Sequence, residues 1–279
     1  MKIVKAINNN VISAKDDNGR ELVVMGKGIG FKVKEDDAVC EERIEKVFFM
    51  DSQSSVDKLK ELLTNLPIEH FRVSNDIITY AKSTLNKKLN QNIYITLTDH
   101  ISFAVERFNQ GMMFHNPLLW EVQSIYRQEY AIGEYAIELI KRELCVAFPE
   151  DEAASIALHL VNAEYDTAMS EAMNITKMIP AILSLVKAYF NVNIDEKTLY
   201  YERFVTHLKF LAQRIIKQEL FNSKDADLNS MIRSMYPEEF KCSQSIGQYI
   251  EENFEYNITE EELAYLTVHI RRIIVMYQG

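Results

Sequence analysis

Cysteine is scarce in this chain. Cys40, Cys145 and Cys242 are odd in number, far apart and in no metal-ligand spacing. That excludes a disulfide framework or a clustered zinc site and suits free thiols in a reducing compartment. No apolar run approaches the length of a membrane span, so membrane insertion is not expected. The start, Met1-Lys2-Ile3-Val4-Lys5, has neither the apolar block nor the small-residue cleavage site of a signal peptide. The expected location is the cytoplasm. Proline is absent before Pro67, and glycine is thin everywhere except between Gly19 and Gly30, where Gly19, Gly26, Gly28 and Gly30 supply four of the eight. Cationic charge is also in deficit: the net charge is −10, which by itself argues against a nucleic-acid partner.

The distribution of charge qualifies that exclusion. Residues 1–34 hold Lys2, Lys5, Lys15, Arg20, Lys27, Lys32 and Lys34 against Asp16, Asp17 and Glu21, whereas residues 35–50 hold six acids and two bases. The acidic excess therefore belongs to the rest of the chain, and the basic N-terminal segment is weak evidence for a phosphate partner. This segment also reads as a small antiparallel sheet. Val11–Ala14 and Glu21–Met25 flank Asp16-Asp17-Asn18-Gly19 as a β-hairpin, with outer strands expected at Lys2–Ile7 and Gly30–Lys34. So small a sheet gives a meagre core, and a second copy of itself, a homodimer, is the expected support.

Asp51-Ser-Gln-Ser-Ser55 has linker composition, and from Val56 the pattern is helical. Leu59, Leu62, Leu63 and Leu66 lead to a stop at Pro67, and further helices are predicted over 73–90, 98–110, 117–127, 131–145 and 150–164. Pro149-Glu150-Asp151-Glu152 suits a helix start, a polar patch at Asp166–Glu171 separates two halves, and Thr259-Glu260-Glu261-Glu262 has the pattern of a capping box.

Those halves repeat each other around histidines. Leu97, Ile101, Ala104 and Val105 have the spacing of one apolar helix face, with His100 beside it. At an offset of 107 residues, Leu97, His100, Ile101, Phe103 and Arg107 return as Phe204, His207, Leu208, Phe210 and Arg214. At an offset of 110, Glu152, Ile156, His159, Leu160 and Ala163 return as Glu262, Leu266, His269, Ile270 and Ile273. One histidine beside an apolar stripe is ordinarily a packed core residue. Four in equivalent places of two tandem copies are not so easily dismissed, and a period this long means duplicated domains rather than a solenoid. His70 and His115 have no counterpart and are given no role. The expected fold is multidomain: an all-β antiparallel domain at 1–55, followed by two duplicated all-α helical bundles at 56–169 and 170–279.

Met1–Ile12, Val24-Met25-Gly26-Lys27-Gly28-Ile29-Gly30-Phe31 and Ile44-Glu45-Lys46-Val47-Phe48 resemble the RNA-binding domain of the BglG/SacY/LicT transcriptional antiterminators. The duplicated helical part resembles their two regulatory domains, which answer to the sugar phosphotransferase system; the resemblance covers the whole chain and is nearest to the β-glucoside branch. It implies a regulator and not an enzyme, with no cofactor and no metal. Such a protein binds an RNA hairpin with internal loops in a nascent leader transcript, as a dimer, and prevents formation of the overlapping terminator.

The N-terminal residues suit that task chemically. Asparagine amides can read base edges or the 2′-OH, glycines allow close backbone approach, an aromatic ring can stack on an unpaired base, and Lys5 and Lys27 can hold phosphates. Asn8–Asn10 equally fit a turn, the glycines equally relieve strand strain, and Phe31 equally fits a core. The resemblance, carried over position by position, marks Lys5, Asn10, Gly26, Lys27 and Phe31 as contact residues, with Asn8 and Gly28 beside them. Relatives often have arginine where Lys27 stands, which puts a bidentate contact there in question.

For the histidines, metal binding would need a denser ligand set, and a histidine-aspartate hydrolase would need the reverse order of Asp99-His100 and an acid where Thr206 stands. Phosphate acceptance needs only an accessible imidazole. By resemblance, His100 and His159 receive phosphate from the EIIB domain of a sugar permease, and His207 and His269 from the phosphocarrier protein HPr. Arg107 and Arg214, two turns beyond a histidine, are expected at the solvated surface, where they could also face an added phosphate. Two other classes compete: a histidine phosphotransfer component, which leaves the glycine-rich β domain unexplained, and a DNA-binding activator, for which residues 1–55 offer no recognition helix.

Overall fold

Alternation along the first strands is apolar on both sides, so each face of the sheet needs a cover. In a computed structural model, which describes residues 1–112, 114–219 and 226–277 except for the Ala226 side chain, both faces have one. Strands β1 (Lys2–Asn8), β2 (Val11–Lys15), β3 (Glu21–Met25) and β4 (Lys46–Phe48) form an antiparallel sheet in the order β1-β2-β3-β4. Val11 pairs with Met25, and Val23 with both Ser13 and Phe48. Val11, Val23, Met25 and Phe48 join the core of the helices that follow. Ile3, Ile12, Ala14, Leu22 and Val24 pack on the opposite face beneath Ile29 and Val39. The hairpin turn forms where expected, with Gly19 at φ +79° and Asp16 Oδ1 accepting the Asn18 and Arg20 N–H groups at 2.9 Å.

Two expectations fail locally. Residues 30–34 form no strand, 30–32 being a turn, and the fourth strand is Lys46–Phe48. A Cβ at Gly30 would lie 2.1 Å from the Asn8 carbonyl oxygen, Gly30 N–H donates to Asn9 O at 3.0 Å, and Lys32 has φ +57°. The segment is thus pressed end-on against the β1–β2 turn rather than laid along an edge. The polar stretch at 51–55 is not a spacer either. Ser52 caps helix α1 (Gln53–Asn65) by accepting the Ser55 N–H at 3.1 Å.

The chain divides into two compact units, Met1–Met169 and Ser170–Gly279. The first contains the sheet and α1, α2 (Ile68–Leu85), α3 (Ile93–Asn109), α4 (Leu119–Ile125), α5 (Arg127–Leu144) and α6 (Glu150–Tyr165). Phe48 joins sheet to helices, its ring edge-on to Phe71 of α2 at 5.1 Å and to Tyr94 of α3 at 5.0 Å. Lys60 of α1 reaches Glu21 of β3 at 2.8 Å. Gly133 lets α5 lie against α6, because a Cβ there would stand 2.1 Å from the Ala153 carbonyl oxygen. That close approach places α6 beside the helix it must face, α3.

The second unit is built from α7 (Met169–Phe190), α8 (Leu199–Lys217), α9 (Ala226–Met235), α10 (Pro237–Phe254) and α11 (Glu260–Ile274). Its core is formed by Ile179 and Ile182 of α7, Phe204 and Leu208 of α8, Ile246 and Ile250 of α10, and Leu266 and Ile270 of α11. Among the described residues, no helix is long and apolar enough to cross a membrane.

Candidate functional sites

Leu97, Ile101, Ala104 and Val105 are buried and turn the face of α3 inward, which leaves His100 at the edge of the stripe with its side chain 17% exposed. His159 on α6 meets it there. The two rings, 59 residues apart in sequence, have centroids 4.7 Å apart and planes tilted by 41°. His159 Nδ1 is buried without a hydrogen bond, and burial, reinforced by His100, pushes its pKa down to about 3, so this imidazole is neutral near pH 7.

The second unit repeats the pairing more tightly. His207 of α8 and His269 of α11 have ring centroids 3.6 Å apart and planes tilted by 33°. Burial, His207 and Arg272 push His269 down to about 4, and burial with Arg272 also lowers His207. Tyr265 Oη is hydrogen-bonded to His207 Nδ1 at 2.9 Å, and the Tyr265 ring stands edge-on to His269 at 4.6 Å.

Each pair comes with an arginine and a glutamate at the same spacing. Arg107 Nη2 lies 2.6 Å from Glu152 Oε1, and Arg214 Nε lies 3.2 Å from Glu262 Oε1. These arginines are therefore not solvated surface residues: their side chains are 17% and 24% exposed, against nearly buried carboxylates. The second carboxylate oxygen behaves differently in the two units. Glu262 Oε2 accepts the Thr259 N–H while Thr259 accepts the Glu262 N–H, completing the capping box expected from sequence. Position 149 holds proline, which has no N–H to offer. Glu152 Oε2 instead lies 3.1 Å from His100 Nε2, and neither atom makes a hydrogen bond.

The equal offsets made Glu152 and Glu262 visible in the sequence, although their partnership with the arginines was not. Tyr265 carried no signal, because Ser155 stands at its place in the first copy. His70, bonded to Ser102 Oγ at 3.1 Å, and His115, with its side chain 85% exposed, lie outside both pairs. Among the described residues, no group of His, Cys, Asp and Glu could hold a metal ion.

The N-terminal candidates gather around two loops. Asn10 holds the glycine-rich loop in place, its side-chain oxygen accepting the Gly28 N–H at 3.0 Å and its carbonyl the Gly26 N–H at 2.9 Å. Gly26 has no room for a side chain, since a Cβ would fall 1.7 Å from the Arg43 carbonyl oxygen, whereas Gly28 at φ +66° faces open space. Lys5, Lys27 and Phe31 are exposed, Phe31 by 55%, and Lys32 Nζ lies 5.3 Å from the Phe31 ring centre. Asn8 is engaged at both ends of its amide, donating to Leu63 O at 3.2 Å and accepting the Asn10 N–H at 2.9 Å, so it secures the turn rather than facing outward. Arg43 is a cation the sequence reading passed over: its guanidinium donates to Gly28 O at 3.2 Å and is exposed beside the loop.

Comparison with known proteins covers both parts of the chain. Residues 1–56 match the CAT RNA binding domain, and residues 75–163 and 181–273 each match the PRD domain. The chain is 48% identical over 274 residues to the transcription antiterminator LicT of Bacillus subtilis (strain 168), covering 98% of this chain and 99% of that one. It is 42% identical over 273 residues to the beta-glucoside operon antiterminator of Dickeya chrysanthemi, covering 98% and 96%. The crystal structure of GlcT CAT-PRDI is similar with a TM-score of 0.53 and 37% identity, covering 58% of this chain and 97% of that one. An N-terminal sheet carrying a glycine-rich loop and two helical repeats carrying paired histidines thus have a single description: the chain belongs to the BglG/SacY/LicT family of RNA-binding transcription antiterminators.

Proposed function

We propose that this antiterminator is switched by phosphate on its paired histidines, in a cytoplasmic homodimer that reports sugar supply to a leader RNA. Residues 1–55 bind the hairpin and hold off the terminator, and the repeats at 56–169 and 170–279 regulate that binding. Lys5, Lys27 and Phe31 are the exposed contacts, and Gly28 leaves the backbone open to a phosphate; Asn10 and Gly26 shape the loop. The β-glucoside operon antiterminator among its relatives supports a β-glucoside as the signal. His100 and His159 are assigned to the EIIB domain of the sugar permease, and His207 and His269 to HPr.

The observation that carries this reading is the recurrence of an imidazole pair, each with a neutral inner ring, in both repeats. A neutral imidazole keeps a lone pair for phosphorus. The phosphate then adds about −1.5 to −2 charges at a site backed by an arginine–glutamate pair, enough to reset contacts between copies of the chain. Phosphate on the first repeat, delivered when the inducing sugar is absent, weakens the RNA-competent dimer, and phosphate on the second strengthens it. Incubation with phosphoenolpyruvate, the general phosphotransferase enzyme and HPr should label the second repeat with acid-labile phosphate. His207→Ala combined with His269→Ala should remove most of it, and label that survives both changes, or resists acid, rejects the assignment.

A further inference from the structure

We infer that Tyr265 is a positioning residue for phosphoryl transfer to the second repeat: its hydroxyl holds the Nδ1 side of His207, so that the ring offers Nε2 to the donor. This rests on the phosphoacceptor reading above and specifies the atom that reacts. Tyr265 lies one turn before His269 on α11, so a single helix face supplies two rings to the same imidazole. Its hydroxyl is 2.9 Å from Nδ1. Its ring stands edge-on to His207 at 5.3 Å and 87°, while His269 lies over the His207 ring at 3.6 Å. A hydrogen bond in the ring plane and two ring contacts leave the imidazole little freedom to rotate.

The hydroxyl suits both sides of the reaction because it can accept and donate. Before transfer it accepts from Nδ1–H, which fixes the tautomer whose lone pair is on Nε2. The Nε2 lone pair then forms the new N–P bond to the phosphohistidine of the carrier protein. The carrier's own P–N bond breaks and its electron pair stays on the carrier's imidazole. His207 releases its Nδ1 proton to water, the departing imidazole takes a proton from water, and charge and protons balance. The Tyr265 O–H can now turn and donate to the vacated Nδ1 lone pair of the phosphorylated ring.

The first repeat cannot work this way. Ser155 stands where Tyr265 would be, and its hydroxyl donates to Asp151 O at 3.0 Å and accepts from Asn116 Nδ2 at 3.1 Å. There the ring is approached from its other nitrogen, with Glu152 Oε2 3.1 Å from His100 Nε2. The two repeats therefore turn opposite ring nitrogens toward their protein neighbours, Nδ1 of His207 toward a hydroxyl and Nε2 of His100 toward a carboxylate. A carrier that uses Nε2 of His207 meets a carboxylate at the equivalent atom of His100.

The test is Tyr265→Phe in the full chain, which removes one oxygen from a partly exposed side chain and keeps the ring. In unphosphorylated protein with ¹⁵N-labelled histidine, His207 should be the Nδ1–H tautomer, and the variant should shift toward Nε2–H. With phosphoenolpyruvate, the general enzyme and HPr, phosphorus NMR should find the His207 phosphate on Nε2, and the variant should acquire it about tenfold more slowly. An Nε2–H tautomer in the parent chain, phosphate on Nδ1, or an unchanged rate in the variant overturns the inference. If the parent His207 takes no phosphate at all, the phosphoacceptor reading fails, while the tautomer spectra still decide whether Tyr265 orients the ring.

Discussion

His159 and His269 are the inner members of their pairs, and burial gives both the same acid sensitivity. Their folded pKa values, about 3 and about 4, lie below the ordinary 6.5, so in the window between, the unfolded chain binds protons that the folded chain refuses. Stability from these groups is complete above about pH 6.5 and is lost as pH falls toward 4, each contributing a slope of about 1.4 kcal/mol per pH unit. Urea midpoints measured at pH 7, 6 and 5 should fall steadily, and His269→Gln should remove its share of the slope. A midpoint independent of pH over this range would mean that the inner imidazoles are solvated. The outer members differ: His207 is held by a phenol and His100 faces a carboxylate, so pairs built from the same residue types have different chemistry at the exposed ring.

At the level of elements, a backbone N–H present at Thr259 and absent at Pro149 separates the two repeats. The capping box uses the second oxygen of Glu262, and loss of a threonine cap typically costs about 1 kcal/mol. Thr259→Ala should lower stability by that amount in urea denaturation; no change would mean the cap contributes nothing. This box was legible in sequence because it depends on residues three apart. So were the apolar stripes of α3 and α8, whose spacing places one histidine of each pair, and the β2–β3 hairpin, whose turn residues act locally. The strand expected at Gly30–Lys34 was not legible as a turn, because its cause is the press of Gly30 against Asn8, more than twenty residues earlier. The anchoring of Asn8 was not legible for the same reason: its partner, Leu63 O, belongs to a helix 55 residues on. Offsets of 107 and 110 revealed that four histidines were equivalent, but only folding revealed that they meet two by two.

Over the whole molecule, the sheet does not stand on its own core. Phe48 is 2% exposed and sits with Val11, Val23, Met25 and Met50 in the cluster that runs on through α1, α2 and α3. The weakness of a fifty-residue sheet, which pointed to a second copy, is met on this face by the chain's own helices. Phe48→Ala should therefore destabilise the first unit as a core deletion does, by about 3–5 kcal/mol, and expose sheet and helices together in hydrogen exchange. A loss below about 1 kcal/mol, or exchange confined to the sheet, would separate the two layers energetically. The same continuity offers a physical route from the histidine pair to the RNA loop: α3 carries His100 on one stretch and Tyr94, packed on Phe48, on another.

In the proposed switch, the two repeats read phosphate with opposite sign and pass the result to the RNA-binding sheet. Read-through of a terminator placed before a reporter, measured in cells with and without the inducing sugar, tests it most directly. His100→Ala should give read-through that no longer requires the sugar, and His207→Ala should abolish or reduce it. A silent reporter with His100→Ala, or full inducibility with His207→Ala, would contradict opposite roles for the two repeats.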